Sequence, residues 1–340
     1  DGLKNYVGVD YCLTLNSGTS ALHATFLAYN IGKEDNVIVP SFTFIATTNA
    51  VFFVDAEPNF ADIEDTTFGL DPNSVKLKIN PKTKAVVPVD IAGMSCKILE
   101  IKEIAKENKL ILIEDAAESL GSTVNNQKTG SVSDSSIFSF CGNKVLTTGE
   151  GGAVVTNSKD VYEKIKLIRS HGRLDTKNYF DNPLKSQYFG IGYNWRMSTI
   201  TAALGLAQLK KLDKIIKMRQ ENARFLSDKL SRYKEIITPK SSNGMNHIFQ
   251  MYTVRLPNQQ IRDKLHEFLL EKKIFSKVYF NPIHKVRFYK ERFPNVDQQL
   301  IQTNSISKQV LTLPLYPNMT HEEKTYLTDS IIEFFETNHN

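Results

Sequence analysis

The chain has 340 residues, of which 41% are hydrophobic, enough for a large buried core and roughly two domains. Its 42 basic and 37 acidic residues are spread along the sequence, so the net charge of +5 does not indicate a nucleic-acid-binding surface. Three widely separated cysteines, Cys12, Cys96 and Cys141, support neither a metal site nor a disulfide framework, and they suit a reducing cytoplasm.

The first half of the chain alternates apolar strands with amphipathic helices, and no apolar run approaches the ~20 residues of a membrane span. Strands are predicted at 11–15, 37–39, 58–62, 85–89, 110–113 and 137–140, and helices at 16–30, 45–53, 98–108 and 158–170. Uninterrupted apolar strands separated by helices are typical of a sheet covered on both faces, so we predict an α/β fold with a mostly parallel sheet. Ligands of such folds bind beyond the carboxyl ends of the strands.

The second half of the chain changes character after residue 170. Residues 172–190 are predicted to form a loop rich in Asn, Asp, Tyr and Lys, followed by one long helix from Thr199 to about Leu230. From about residue 235 the pattern becomes α+β, with an alternating strand at 251–256 and helices at 259–272 and 321–336. We therefore predict a large domain over 1–215 and a smaller α+β C-terminal domain over 216–340.

A run of small hydroxyl residues, Asn16–Leu22, opens the first long helix. Backbone N–H groups and hydroxyls at a helix N-terminus can hold an anion, with the helix dipole behind them. An ordinary Ser/Thr cap also explains the stretch, and for this stretch alone it is the favoured interpretation. If the stretch does bind an anion, Thr19 and Ser20 are the candidate phosphate ligands. Ser139 is a third candidate, with a strand hydroxyl paired to backbone as its alternative role.

The stretch from Ser136 to Ala153 places a lysine, Lys144, in a glycine-rich loop at the end of an apolar strand. A loop lysine is usually solvated, but the surrounding glycines favour a side chain that reaches inward. Our hypothesis is that Lys144 forms a Schiff base with pyridoxal phosphate (PLP). Its freed amine would then move a proton between the carbon of an amino donor and C4′ of the cofactor.

Two acidic residues and one aromatic residue complete the candidate site. Asp115 follows the apolar strand at 110–113; such a residue usually caps a helix or faces a surface turn, but it can also hold a proton on the pyridine nitrogen of PLP. Glu118 is predicted to lie one helical turn later, facing either the same site or the helix surface. Phe44 is a candidate for stacking on the cofactor ring, although core packing is the commoner role of such a residue.

Several of these stretches together resemble one protein family. The matching motifs are Asn16–Leu22, Pro40–Ile45, Ile113–Gly121, Ser139–Lys144, Thr148–Gly152 and Gly192–Met197, with Asn281–His284 and Leu313–Pro317 near the end. As a set they resemble the DegT/DnrJ/EryC1/StrS family of PLP-dependent nucleotide-sugar aminotransferases. The resemblance covers nearly the whole chain.

The resemblance implies a fold-type I aminotransferase that works as a homodimer with active sites at the subunit interface. It implies that Lys144 is the Schiff-base lysine, that Asp115 is the partner of the pyridine nitrogen, and that Phe44 stacks on the ring. It further implies a phosphate site made by Gly18, Thr19, Ser20 and Ser139 and completed by Asn194 of the other subunit. Glu118 belongs to the same cofactor-binding set.

Within the family, Glu118 and the Asn143–Lys144 pair are most similar to the perosamine-synthase branch. Members of this branch aminate C4 of a 4-keto-6-deoxy sugar carried on a nucleotide, usually with L-glutamate as the amino donor. Family members also carry a further segment ahead of the residue matching Asp1, and that segment helps line the sugar site. The sequence indicates the class of substrate, but it leaves open the sugar, the nucleotide and the choice between C3 and C4.

The sequence disfavours three alternative functions. A PLP-dependent sugar dehydratase of the same fold typically has histidine in place of the lysine, or clustered cysteines for an iron–sulfur centre, and this chain has Lys144 and separated cysteines. A non-catalytic PLP-binding regulatory protein is disfavoured because a purely structural role needs neither Lys144 nor Asp115. A nicotinamide dehydrogenase is disfavoured because no G-x-G-x-x-G motif follows the first strand.

Overall fold

The computed structural model describes residues 1–173, 187–241 and 244–337, so most of the loop predicted at 172–190 lies outside the described residues. Its centre is a seven-stranded sheet with the order β1-β9-β8-β5-β4-β2-β3. The strands, including the short ones outside this sheet, are β1 (Tyr11–Leu15), β2 (Asn36–Pro40), β3 (Glu57–Ala61), β4 (Thr83–Val86), β5 (Ile111–Asp115), β6 (Thr123–Val124), β7 (Gln127–Lys128), β8 (Ser135–Ser139), β9 (Gly152–Thr156), β10 (Met245–Asn246), β11 (Tyr252–Arg255) and β12 (Val310–Leu313).

Five neighbouring strands, β3, β2, β4, β5 and β8, pair in parallel, which confirms the predicted mostly parallel sheet. The exception is β9, which runs antiparallel to both of its neighbours, β1 and β8. Because of this reversal, the ends of β1, β5 and β8 and the beginning of β9 all lie at one edge of the sheet. Residues 140–151 therefore form a loop that leaves this edge and returns to it.

Twelve α-helices surround the strands in the part of the chain that is described. They are α1 (Gly2–Val7), α2 (Gly18–Ala28), α3 (Ala46–Phe52), α4 (Pro72–Lys78), α5 (Ile98–Glu107), α6 (Lys159–Ile168), α7 (Thr199–Leu209), α8 (Leu212–Leu230), α9 (Gln259–Glu271), α10 (Arg287–Arg292), α11 (Ile301–Gln309) and α12 (His321–Thr337). Within the described residues, none of the helices combines the length and the apolar character needed to cross a bilayer.

The helices pack on the sheet through the faces that their sequences predict. In α5, Ile98, Ile101 and Ile104 recur at helical spacing and are all buried, in a cluster that includes Ile38 of β2 and Leu112 of β5. Helix α2 is buried on most of its surface and packs against β8 and β9. The central position of α2 explains why its amino end can form part of a site at the edge of the sheet.

The C-terminal part of the chain builds a second core around the antiparallel pair β11–β12, with α9 and α12 packed against it. Helix α8 contributes to both cores. Leu212 and Ile216, near its beginning, pack with residues of the large sheet region, whereas Leu226 and Leu230, near its end, pack in the C-terminal core. The predicted domain boundary at residue 215 therefore falls inside a helix that both cores share, and it stays a prediction.

The prediction of one long helix from Thr199 to about Leu230 is wrong, because the chain turns at Lys210 and Lys211 between α7 and α8. The two helices pack differently. No residue of α7 is buried, whereas Leu212, in the first turn of α8, packs in the same cluster as Val7 and Leu120. The two helices differ in how they pack against the rest of the chain, and helical periodicity in the sequence does not reveal such a difference.

Candidate active site

A cavity of about 390 Å³ lies at the edge of the sheet where β5 and β8 end and α2 begins. Two other cavities, of about 540 and 360 Å³, contain none of the predicted site residues. The cavity at the strand ends brings together most of them: Gly18, Thr19, Phe44, Asp115, Glu118, Ser139 and Lys144. Polar groups from distant parts of the sequence converge here, which makes this cavity the candidate active site.

Lys144 lies in the loop between β8 and β9, and its amine points into the cavity. Lys144 Nζ lies 3.2 Å from Glu118 Oε1, and the two side chains are only 13% and 11% exposed. The other carboxylate oxygen, Glu118 Oε2, accepts a hydrogen bond of 2.9 Å from the backbone N–H of Ala92. The Glu118 carboxylate is partly buried and fixed by Ala92, and it holds the amine of Lys144, so Lys144 is not a solvated loop lysine.

Glu118 faces the candidate site as predicted, but it does not lie on the predicted helix. Residues 116–122 form successive turns instead of a helix. Asp115 Oδ1 accepts a hydrogen bond of 3.2 Å from the backbone N–H of Ala117, and Ser119 Oγ donates a bond of 2.7 Å to the buried Asp90. These side-chain bonds replace the helical pattern and keep Glu118 beside Lys144.

Asp115 ends β5 with its carboxylate 4% exposed. Thr47 Oγ1 donates a hydrogen bond of 2.8 Å to Asp115 Oδ2, in addition to the bond that Oδ1 accepts from Ala117. Burial raises the pKa of Asp115, while the bond from Thr47, the bond from Ala117 and the charge of Lys144 each act to lower it. The carboxylate is thus buried and held by two fixed donors that favour its ionised form, and it is placed to pair with a cationic group in the cavity.

The amino end of α2 forms a polar cradle with Ser139. Ser17 caps the helix by accepting a bond of 3.0 Å from the N–H of Ser20, and Gly18 and Thr19 follow as the first helical residues. A Cβ on Gly18 would lie 3.0 Å from Ser139 Cβ, and one on Gly152 would lie 2.4 Å from the carbonyl oxygen of Ser17. Glycines at both positions therefore allow α2, β8 and β9 to approach closely around a site that suits a phosphate.

The structure places Ser20 outside the cavity wall. Ser20 Oγ donates a hydrogen bond of 2.7 Å to Asn16 Oδ1 and lies 2.8 Å from Ser17 Oγ. Its hydroxyl is therefore used within the capping turn, because the short spacing of these residues favours local bonds. An ordinary role in the capping turn, the interpretation favoured for this stretch alone, accounts for the hydroxyl of Ser20, and a phosphate contact by Ser20 stays a prediction.

Phe44 and Asn194 are both exposed. Phe44 is 62% exposed and lies on the cavity wall, so core packing does not explain this ring. Asn194 does not line the cavity of its own chain. It lies between Tyr193 and Trp195, whose rings stack at 3.8 Å, and the carbonyl of Trp195 accepts a bond of 2.8 Å from the N–H of Asn16. This exposed position is compatible with the expectation that Asn194 serves the other subunit.

Several residues around the site were not predicted. Thr47 holds Asp115, and Met251, Tyr279 and Phe280 contribute cavity wall from the second half of the chain. Gln250 does not line the cavity but contacts the loop that carries Lys144. The sequence offers no local signal for these positions, because a threonine in a helix and a glutamine before a strand have many ordinary roles.

The polar groups of the cavity match those of PLP. A primary amine, a buried carboxylate and a helix amino end face one space, and PLP presents an aldehyde, a basic ring nitrogen and a phosphate. The residues present therefore fit this cofactor, with Lys144, Asp115 and the Gly18–Thr19 turn as the groups that would hold it.

Comparisons with known proteins agree with this chemistry. The chain is 39% identical over 283 residues to a GDP-perosamine synthase from Caulobacter vibrioides, covering 82% of this chain and 74% of that protein. It is 35% identical over 332 residues to the GDP-perosamine synthase of Vibrio cholerae, covering 97% of this chain and 88% of that protein. A Campylobacter jejuni protein named as a UDP-4-amino-4,6-dideoxy-N-acetyl-beta-L-altrosamine transaminase is 33% identical over 341 residues, covering 99% of this chain and 88% of that protein.

Solved structures give the same result for the fold. Helicobacter pylori PseC, an aminotransferase involved in the biosynthesis of pseudoaminic acid, superposes with a TM-score of 0.91 at 28% identity, covering 98% of this chain and 89% of that chain. A model of the DegT/DnrJ/EryC1/StrS aminotransferase family matches residues 1–332. The chain therefore belongs to the DegT/DnrJ/EryC1/StrS aminotransferase family and is an aminotransferase that uses PLP.

Proposed function

We propose that the protein transfers the amino group of L-glutamate to C4 of a 4-keto-6-deoxy sugar carried on a nucleotide. The observation that carries the proposal is the convergence of Lys144 and Asp115 on one cavity at the end of the sheet. The choice of sugar is supported by the GDP-perosamine synthases among the relatives. GDP is accordingly the nucleotide that we propose.

Each polar residue of the cavity has a distinct role in this reaction. When bound, PLP withdraws electrons from the carbon that loses or gains the amino group. Lys144 Nζ anchors the cofactor and, once released, moves the proton to and from that carbon. Glu118, paired with Lys144 at 3.2 Å, keeps the amine directed into the cavity between these two tasks.

Asp115 and the cradle orient the cofactor. The Asp115 carboxylate holds a proton on the ring nitrogen, and Thr47 and Ala117 keep that carboxylate in place. Gly18, Thr19 and Ser139 hold the phosphate at the amino end of α2, where the helix dipole favours a negative charge. The exposed ring of Phe44 stacks on the cofactor and limits the access of water to it.

The direct test supplies the PLP-loaded protein with L-glutamate and GDP-linked 4-keto-6-deoxymannose. We expect one 2-oxoglutarate for each amino sugar formed, measured by coupled assay and mass spectrometry. The UDP-linked 4-keto-6-deoxy sugar is the matched control and is expected to turn over more slowly. A product that has lost oxygen without gaining nitrogen would show that the protein is a sugar dehydratase. Amination at C3 would contradict the proposed position of the amino group.

We also propose a homodimer with shared active sites, working in the cytoplasm. Support for the dimer comes from an apolar surface on α7 and just before it, where Ile191 is 90% and Ile200 86% exposed. Asn194 lies in the same region. The three cysteines are unpaired, as expected for a reducing compartment.

Mixing two defective variants tests the shared site. Lys144→Ala and Asn194→Ala are each expected to have low activity, since each homodimer lacks one required group at both sites. If Asn194 serves the partner's site, mixed dimers contain one intact site, and random exchange of subunits restores about one quarter of the wild-type activity. Native mass spectrometry can verify that the subunits have exchanged. Activity that then stays at the level of the two separate variants would contradict the shared site.

A further inference from the structure

The side chain of Gln250 contacts the backbone on both sides of Lys144. Gln250 Oε1 accepts a hydrogen bond of 2.7 Å from the N–H of Val145, and Gln250 Nε2 donates one of 2.7 Å to the carbonyl oxygen of Asn143. Gln250 is 6% exposed, so water does not compete freely for these bonds. One amide group thus fixes the two residues that flank the lysine, although Gln250 lies far along the chain from that loop.

The backbone that presents Gln250 is itself held in an unusual conformation. Phe249 has φ of 50°, in the left-handed region that a bulky residue rarely adopts. The N–H of Phe249 donates a bond of 2.9 Å to His247 Nδ1, and the buried Arg219 Nη1 donates one of 2.8 Å to the carbonyl oxygen of Phe249. The rings of His247 and Phe249 stack at 4.1 Å. Several independent contacts thus maintain the turn that directs Gln250 towards the lysine loop.

The same segment also reaches the amine end of Lys144 through two further bonds. The N–H of Met251 donates a bond of 3.1 Å to the carbonyl oxygen of Ala92, and the N–H of Ala92 donates one of 2.9 Å to Glu118 Oε2. Glu118 in turn pairs with Lys144 Nζ. Gly93 permits this close approach, since a Cβ there would lie 2.6 Å from the backbone nitrogen of Gln250.

We infer that Gln250 is a positioning residue for Lys144, which it serves by fixing the two peptide groups on either side of the lysine. The inference rests on the proposed catalytic role of Lys144. The backbone position of the loop is set by Gln250, and the direction of the amine is set by Glu118, so the segment 249–251 fixes both ends of one side chain. Proton transfer depends steeply on the placement of the transferring group, so a small displacement of the loop that carries Lys144 lowers the rate.

The test compares Gln250→Leu with Gln220→Leu in the PLP-loaded protein. Gln220 Nε2 donates bonds of 2.8 and 3.0 Å to Asn246 and His247, so its loss removes two hydrogen bonds just before the segment 249–251 without touching the lysine loop. For Gln250→Leu we expect kcat to fall by about 10-fold or more while KM for the sugar stays within about twofold. The Gln220 variant is expected to keep both constants near those of the wild type.

Two further measurements do not depend on turnover. In Gln250→Leu, hydrogen exchange at the Val145 amide is expected to accelerate, and the pH midpoint of the visible cofactor band is expected to move, with neither change in Gln220→Leu. Gln250→Glu keeps an acceptor for Val145 but loses the donor to Asn143, so it is expected to lie between wild type and Gln250→Leu. It also provides the test if the leucine variant does not fold.

The outcomes separate this inference from the proposed function. If Lys144→Ala abolishes the cofactor band and transamination but Gln250→Leu and Gln250→Glu match Gln220→Leu in kcat, exchange and pH midpoint, the positioning role is overturned. A fall in kcat that is equal in the Gln250 and Gln220 variants would overturn it as well. If Lys144→Ala itself retains normal transamination, the proposed function fails first, whatever the Gln250 variants do.

Discussion

Replacement of Lys144 by alanine is expected to abolish transamination and to remove the visible band of the lysine-bound cofactor. The amine is the group in this cavity that is able both to anchor PLP covalently and to move a proton at the reacting carbon, and loss of a positioned proton-transfer group alone lowers rates by about 100- to 10,000-fold. Steady-state assays with glutamate and the keto sugar, together with absorbance spectra, measure both effects.

Lys144→Arg is the matched control for this variant. Arginine keeps a positive charge beside Glu118, so it preserves the partly buried ion pair, but its guanidinium does not lose a proton at ordinary pH. We expect Lys144→Arg to unfold at a temperature close to that of the wild type and to be as inactive as Lys144→Ala. Normal transamination by either variant would remove Lys144 from its assigned role.

Replacement of Asp115 by asparagine is expected to leave PLP bound and to lower transamination by about 100-fold or more, because a neutral amide no longer favours a proton on the ring nitrogen. Asparagine has nearly the same shape and keeps an acceptor for Thr47 or Ala117, so the cavity is preserved. Cofactor binding by absorbance titration and turnover in the same preparation test the two halves of this expectation. Unchanged turnover would contradict the role of Asp115.

Thr47→Val removes one of the two hydrogen bonds to Asp115 and is expected to change the pH dependence of the activity. The hydrogen bond from Thr47 favours the ionised carboxylate, so its loss raises the pKa of Asp115 further in the direction in which burial already shifts it. Asp115 is active in its ionised form. When the solution is acidified, the variant therefore loses activity at a higher pH than the wild type does. We expect the acid limb of the pH–rate profile to move upward, while activity at alkaline pH changes little.

The sequence predicts those parts of the site that follow from local pattern. Asp115 and Lys144 follow apolar runs, and side chains beyond parallel strands meet at one edge of a sheet, so their convergence was predictable. The partner of Asp115 was not, because Thr47 looks like any threonine in a helix. Gln250 was missed for the same reason, since only the three-dimensional path of a distant segment brings it to the lysine loop.

The errors in secondary structure have the same origin. The sequence predicts a helix at Glu118, but hydrogen bonds that Asp115 and Asp90 accept from Ala117 and Ser119 stabilise turns there instead. The long helix over 199–230 divides because α7 leaves its apolar side exposed while the beginning of α8 is buried. In each case a contact with another part of the chain decides between local conformations of similar energy.

The reversed direction of β9 has a consequence for how such enzymes can diverge. Residues 140–151 begin and end at the same edge of the sheet, and both ends are anchored in paired strands, at Ser139 and Gly152. A substitution at the reactive position of this loop can therefore alter the chemistry while the buried Phe140, Val145 and Leu146 keep the loop packed against the helices. Natural selection can exchange one chemistry for another here at little cost in stability, which makes this short segment a place where new reactions can evolve on an unchanged scaffold.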